Sequence, residues 1–302
     1  VADSWATPVK DWANLSTVSE SDLDTEIRDR MTAIKNTLSG DASADSDMWL
    51  GIKSGTLANR PSATGTAGRQ YYATDLGVVF ISNGTRWDID RVVHRVASHV
   101  FDDFSLANTS SFTTLPAGLS WTPREVIGSG SFNPNTSRDE LTLSTGNTIN
   151  SVAALYDKII NGNYGISSRT PALYSAVTAN TATTNQTILF GLQVLSQTGA
   201  TPDGIYFKRT DTGSVGNWRC ITRSSATETN TDSGVAGNTA YHFFEIVIET
   251  TTSVKFYIDG TLEATHTTNI PTSAQHLKFY ITNAEAASKA LRLDMVETVV
   301  KR

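Results

Sequence analysis

The sequence predicts a mainly β protein: an antiparallel β-sandwich preceded by a small β module and a short N-terminal helix. Three observations carry this expectation. Charged residues make up only 18% of the 302 residues, against the usual value of about 25%. Thr, Ser, Asn and Gly replace them, and β-branched side chains pack well on a pleated surface. C-terminal segments also alternate at period two: Val254, Phe256 and Ile258 oppose Lys255 and Tyr257, and Leu277, Phe279 and Ile281 oppose Lys278 and Tyr280. Polar turn signals such as Asp259-Gly260 separate these segments, as expected for tight hairpins.

Residues 1–54 form an N-terminal anchor, helix and linker. The first eighteen residues are extended, with Trp5 and Trp12 as anchors and Pro8 opposing regular structure. Ser19 is a helix N-cap, Val18 can staple onto Leu23, and Gly40 follows the last apolar residue. Between them Leu23, Ile27, Met31, Ile34 and Leu38 recur at helical spacing. This narrow stripe has two readings: packing on its own domain, or a short parallel bundle with copies of itself. About two heptads are too few to hold an oligomer alone. Residues 39–54 are a Gly-, Ser- and Asp-rich linker.

Residues 55–97 form a small β-meander. Tyr71, Tyr72, Val78 to Ile81 and Trp87 populate short strands, with turns at Asp75-Leu-Gly77 and Asn83-Gly84. Such a unit has little core of its own.

Residues 98–302 form the sandwich. Strands are expected at 189–195, 205–209, 218–223, 243–248, 254–258, 277–281 and 291–295, while 152–160 fits a short helix or a strand. The apolar Val296, Val299 and Val300 extend the last strand, which should complete a sheet. Because this segment can bury its own core, it is expected to fold without the residues before it.

The net charge of −6 and the absence of a Lys/Arg cluster with interleaved aromatics argue against nucleic acid and anionic membranes as partners. Cys220 is the only cysteine, so no disulfide within the chain and no cysteine metal cluster can form. No basic stretch precedes an apolar run, and no window approaches about 18 apolar residues, so neither a signal peptide nor membrane insertion is expected.

Catalytic chemistry finds little support. Glycoside hydrolysis needs two carboxylates facing a sugar, whereas Glu245 and Glu249 share a strand face with Val247 between them and are expected to be solvated. The histidines are dispersed, and no phosphate loop or serine elbow occurs. No enzymatic activity and no cofactor are therefore expected. Asp203, Asp211 and Asp232 sit in turn-like segments, where a structural calcium ion competes with ordinary turn roles. Carbohydrate recognition would use exposed aromatics, and Trp218, Tyr206, Tyr241, Tyr257 and Tyr280 are candidates by type. Tyr257 and Tyr280, opposite Phe256 and Phe279, are the better solvent or interface candidates; Trp218 alternates with Cys220 and has a core reading too.

Two segments resemble known families. Gly55-Thr-Leu-Ala-Asn-Arg-Pro61, Gly68, Tyr71-Tyr72, Thr74-Asp75, Gly77 and Asn83-Gly-Thr85 with Trp87 resemble a short module of bacteriophage tail-fibre and other appendage proteins. Trp12 to Asn36 also resembles phage-protein N-termini. Leu143-Ser-Thr-Gly146, Gly204-Ile-Tyr-Phe207, Asn217-Trp-Arg219, Phe256-Tyr-Ile-Asp-Gly260 and Thr265-His-Thr-Thr-Asn-Ile-Pro271 resemble concanavalin A-like (laminin G-like) sandwiches of phage structural proteins. The resemblance implies a virion location, a homotrimer, contact with other virion proteins through the N-terminal region, and a host-surface glycan or protein as ligand. It leaves two alternatives: a capsid head-fibre, decoration or collar protein with a structural role, and a glycan-degrading tailspike.

Overall fold

The computed structural model describes residues 52–92, 97–102, 121–135, 140–157, 170–194, 201–273 and 275–301. The expected N-terminal helix, with its stripe Leu23, Ile27, Met31, Ile34 and Leu38, lies outside the described residues. Among the described residues no helix is long and apolar enough to cross a membrane.

The first four strands, β1 (Lys53–Gly55), β2 (Gln70–Ala73), β3 (Val78–Ser82) and β4 (Trp87–Val92), form sheet A in the order β1-β2-β3-β4. The sequence motif at 55–61 acts as its clasp. The Tyr71 hydroxyl donates to Thr56 O at 2.7 Å, and the Leu57 N–H donates to Asp75 Oδ1 at 2.9 Å. The Trp87 indole N–H donates to Pro61 O at 2.8 Å. These bonds satisfy polar groups that would otherwise be left unpaired beside the buried Leu57, Tyr71, Phe80 and Trp87.

The remaining strands are β5 (Ala97–Asp102), β6 (Trp121–Ile127), β7 (Ser131–Asn135), β8 (Glu140–Ser144), β9 (Val152–Asp157), β10 (Ala172–Asn180), β11 (Gln186–Gln193), β12 (Gly204–Asp211), β13 (Asn217–Ser224), β14 (Thr227–Ala236), β15 (His242–Thr250), β16 (Ser253–Ile258), β17 (Thr261–His266), β18 (His276–Asn283) and β19 (Ala290–Lys301). They build two antiparallel sheets. Sheet B has eight strands in the order β17-β16-β15-β10-β19-β8-β7, with β5 also paired to β19; sheet C has seven in the order β14-β13-β12-β11-β18-β9-β6. Together they form a two-sheet antiparallel β-sandwich. The segment left open at 152–160 is a strand where it is described.

Alternation places the core between the sheets. Phe190, Phe207 and Phe279 of sheet C meet Phe244 and Phe256 of sheet B. Phe190 stacks on Phe279 at 5.0 Å, and Phe207 meets the edge of Phe256 at 5.2 Å. Each such ring contributes roughly 1.5–3 kcal/mol by leaving water. The last strand completes sheet B from its interior: β19 pairs with β10 along one edge and with β8 and then β5 along the other. At one end of the core Arg209 is buried with Asp211, their side chains 2.9 Å apart and both 0% exposed. Asn180 Oδ1 and Ala182 O accept further guanidinium hydrogen bonds, so this charge is compensated on several sides.

The small module packs on the outer face of sheet B. Arg60 of the 55–61 motif forms a buried salt bridge with Glu245 of β15, and its guanidinium lies 4.7 Å from the Phe80 ring centroid. Lys255 Nζ donates to Ala58 O at 3.3 Å, and Arg86 lies 4.5 Å from the ring centroid of Phe243. The β16–β17 turn approaches so closely that a Cβ on Gly260 would lie 1.8 Å from Thr85 O. Only glycine fits there. Glu245 is therefore paired and buried, a correction to the solvated face expected for Glu245 and Glu249. Burial holds the Glu245 carboxyl above its ordinary range, and Arg60 opposes the shift.

Candidate functional site

With part of sheet B covered by the module, the outer face of sheet C is the broad surface on which to seek a ligand site. It has two halves. The first carries a second buried cluster, in which Val152, Ala154, Tyr156, Leu189, Tyr206, Ile221 and Tyr280 face away from the main core. Strand register puts Tyr156, Lys278, Gly191 and Tyr206 in one row. Lys278 Nζ lies 4.8 Å from the ring centroids of both Tyr156 and Tyr280. Gly191, with φ +145°, is the floor of that row; a Cβ there would lie 2.4 Å from Ile205 O and 2.6 Å from Tyr206 Cα. Burial pushes the Tyr206 phenol well above its ordinary range, and among the described residues its hydroxyl finds no hydrogen-bond partner.

The second half, over β13 and β14, is exposed and polar. Trp218 and Cys220 point into the core, so Arg219 points outward between them. Arg219 Nη1 donates to Asn230 Oδ1 at 3.1 Å, and Arg219 Nη2 lies 3.4 Å from Asp232 Oδ2. Asn217 Nδ2 donates to Asp232 Oδ1 at 3.0 Å, and Asn230 Nδ2 to Glu228 Oε1 at 3.0 Å. Arg223 continues the strip, 3.6 Å from Glu228 and 3.5 Å from Asp203. The Gly234 N–H and the Asn217 amide hold the Asp232 carboxyl below its ordinary range, so it is ionised at neutral pH. With the Arg219 and Asp232 side chains 46% and 44% exposed, their ion pair contributes at most about 1 kcal/mol to stability. The strip is a ladder of exposed planar donors and acceptors, suited to a ligand rich in hydroxyl groups.

Four of the aromatics proposed from sequence are not solvent-facing platforms. Trp218 is a core residue, 4.7 Å from Phe244 and 2% exposed. Tyr206 and Tyr280 face outward from sheet C but are buried, at 0% and 3% exposure. This corrects the expectation for Tyr280, because period-two alternation tells which face a side chain occupies and not whether that face is covered. Tyr257 is half-buried on the outer face of sheet B near Arg60 and Glu245, and its phenol is pushed up to about 12, chiefly by burial. Tyr241 is the exposed one, at 39%.

The three aspartates considered for calcium have local partners. Asp203 accepts the Ser225 and Ala226 N–H groups, Asp211 accepts Gly216 N–H beside Arg209, and Asp232 accepts Gly234 N–H. Among the described residues no group of three or more His, Cys, Asp or Glu side chains is placed to hold a metal ion.

No protein-family model matches the sequence, and no curated protein sequence is similar to it. Solved structures with a similar sandwich include a β-glucanase of Bacillus licheniformis, at 14% identity and TM-score 0.48, covering 68% of this chain and 98% of that one. A β-1,3-1,4-glucanase (lichenase) from a mouse hindgut metagenome aligns at 12% identity and TM-score 0.48, over 67% and 98%. The carbohydrate recognition domain of Emp47p aligns at 11% identity and TM-score 0.46, over 66% and 93%. These likenesses concern the kind of fold and assign no activity. They do correct the expectation of a non-enzymatic protein: sandwiches of this kind include glucanases, so the fold gives no ground for that exclusion.

Proposed function

We propose that the protein binds glycans on the outer face of sheet C, as a surface component of a phage virion attached through its N-terminal residues and assembled as a homotrimer. The observation that carries the glycan reading is the exposed strip of Asn217, Arg219, Asn230 and Asp232 on the outer face of sheet C. Sugar hydroxyls can replace the mutual hydrogen bonds of such a strip at little net cost, because its groups are already oriented and solvated. The resemblance of residues 55–89 to a phage-appendage module supports the virion reading. A trimer would give three weak sites useful avidity.

The test is a glycan array on the full chain and on Arg219→Ala/Asn230→Ala, with analysis of any released product. Binding by the parent chain and its loss in the double variant are expected. Release of shortened oligosaccharides would make the protein a glycan hydrolase. Undiminished binding by the double variant would place the site elsewhere, and no binding by either chain would favour the purely structural alternative. Sedimentation equilibrium showing only a 32.6 kDa species at micromolar concentration would remove the trimer for the free protein.

A further inference from the structure

The outer face of sheet B carries a second feature, away from the Arg60–Glu245 contact. Tyr241, just before β15, reaches across to β8, where its hydroxyl donates to Glu140 Oε1. Leu141 points into the core, so Glu140 occupies the outer face, yet it is only 4% exposed. Arg292 of β19, paired with Thr142 of β8, places its guanidinium 5.4 Å from the Tyr241 ring centroid. The ring is thus fixed at its hydroxyl by a carboxyl group and supported by a cation, while 39% of the residue stays open to solvent. Among the side chains whose exposure is described, no other aromatic ring is exposed to this degree.

Two buried polar atoms of the cluster, Glu140 Oε2 and Arg292 Nε, find no hydrogen-bond partner among the described residues. Leaving such groups unpaired is unfavourable, and a small adjustment of Tyr241 would offer both to ligand hydroxyls. A fixed aromatic ring is also a low-entropy contact surface, since few rotamers are lost when something stacks on it. We propose that Tyr241, Glu140 and Arg292 form a second carbohydrate site, separate from the face of sheet C, that stacks one pyranose ring on Tyr241. Glu140 accepts a sugar hydroxyl and Arg292 donates to another sugar oxygen. Glu140 and the neighbouring Asp294 both act electrostatically at Tyr241, and two carboxyl groups against one guanidinium select neutral or N-acetylated sugars over acidic ones.

The full chain, with tyrosine rings labelled with carbon-13, would be titrated with the methyl glycosides of glucose, galactose, mannose and N-acetylglucosamine. The Tyr241 signal is identified as the one missing from Tyr241→Phe. The expected result is a saturable shift of that signal with at least one glycoside, retained in Arg219→Ala/Asn230→Ala. Tyr241→Ala should weaken that glycoside by at least about tenfold, and Tyr241→Phe, which keeps the ring, by less. No Tyr241 shift with any of the four sugars would overturn the proposal, as would unchanged affinity in Tyr241→Ala. If Tyr241→Ala does not fold, the shift in the parent chain decides. Loss of the shift in the sheet C double variant would mean that the two surfaces are not separate sites.

Discussion

Removing the charge of Arg60 is the most informative perturbation of the fold. Its salt bridge with Glu245 joins the module to sheet B, with side chains only 6% and 4% exposed. Arg60→Met keeps the apolar stem and leaves Glu245 buried without its partner, a change that costs about 3–5 kcal/mol in comparable settings. At about 2–4 °C per kcal/mol for a unit of this size, the melting temperature should fall by roughly 6–20 °C. The penalty has a pH signature. Burial already holds the Glu245 carboxyl above its ordinary range, and loss of Arg60 removes the cause that opposes this. The stabilising contribution of such a group is complete below the ordinary carboxylate range and is lost as pH rises from there through the raised folded-state value. Arg60→Met should therefore be more damaging near about pH 7 than near about pH 4. Replacing both partners, as Arg60→Met/Glu245→Leu, removes the unpaired charge and should recover most of the loss. Denaturant and thermal unfolding of the parent, single and double variants would measure this. A single-variant penalty below about 1 kcal/mol, the value for exposed pairs, would refute the reasoning, as would a double variant no more stable than the single.

Gly191→Ala should destabilise by at least about 1–3 kcal/mol, measured by denaturant unfolding, because its Cβ would meet Ile205 O and the Tyr206 backbone at a positive φ. Phe190→Ala should cost about 3–5 kcal/mol by the same measurement, since it opens a cavity among Phe207, Phe244 and Phe279. His266 is buried between the Thr222 and Thr231 hydroxyls, at 3.0 and 2.9 Å, and burial lowers its pKa from 6.5. Its NMR titration midpoint should lie below that value, and its contribution to stability should fall as pH drops through the ordinary histidine range, where the unfolded chain takes up the proton first. Deleting residues 290–301 removes β19, a shared partner of β10, β8 and β5, and should abolish cooperative melting.

The sequence was most informative where one strand face is buried and the other is not. In β16 the alternation of Val254, Phe256 and Ile258 with Lys255 and Tyr257 identified the core face directly. Asp259-Gly260 turns the chain as expected, with φ values of 50° and 80°. Strand β10 gave no such signal because every residue from Ala172 to Asn180 is buried, which erases the alternation. Strand β14 was hidden for the opposite reason: as an edge strand with mostly polar side chains, Thr227–Ala236 looks like a loop. The candidate site was less legible than the fold. Tyr206, Tyr280 and Trp218 have the right chemistry but are buried, whereas the polar ladder depends on the register between β13 and β14, which residue type alone does not reveal. Residue type alone also does not reveal that Arg60 of the module pairs with Glu245 of β15; only the contact itself shows it.

The most direct test of the central claim is amide NMR mapping of the full chain with the strongest oligosaccharide from the glycan array. The account predicts shifts concentrated along β13 and β14, at Asn217, Arg219, Asn230 and Asp232, with neighbouring changes near Tyr206. Shifts centred on Arg60, Glu245 and Tyr257, with sheet C unperturbed, would contradict it.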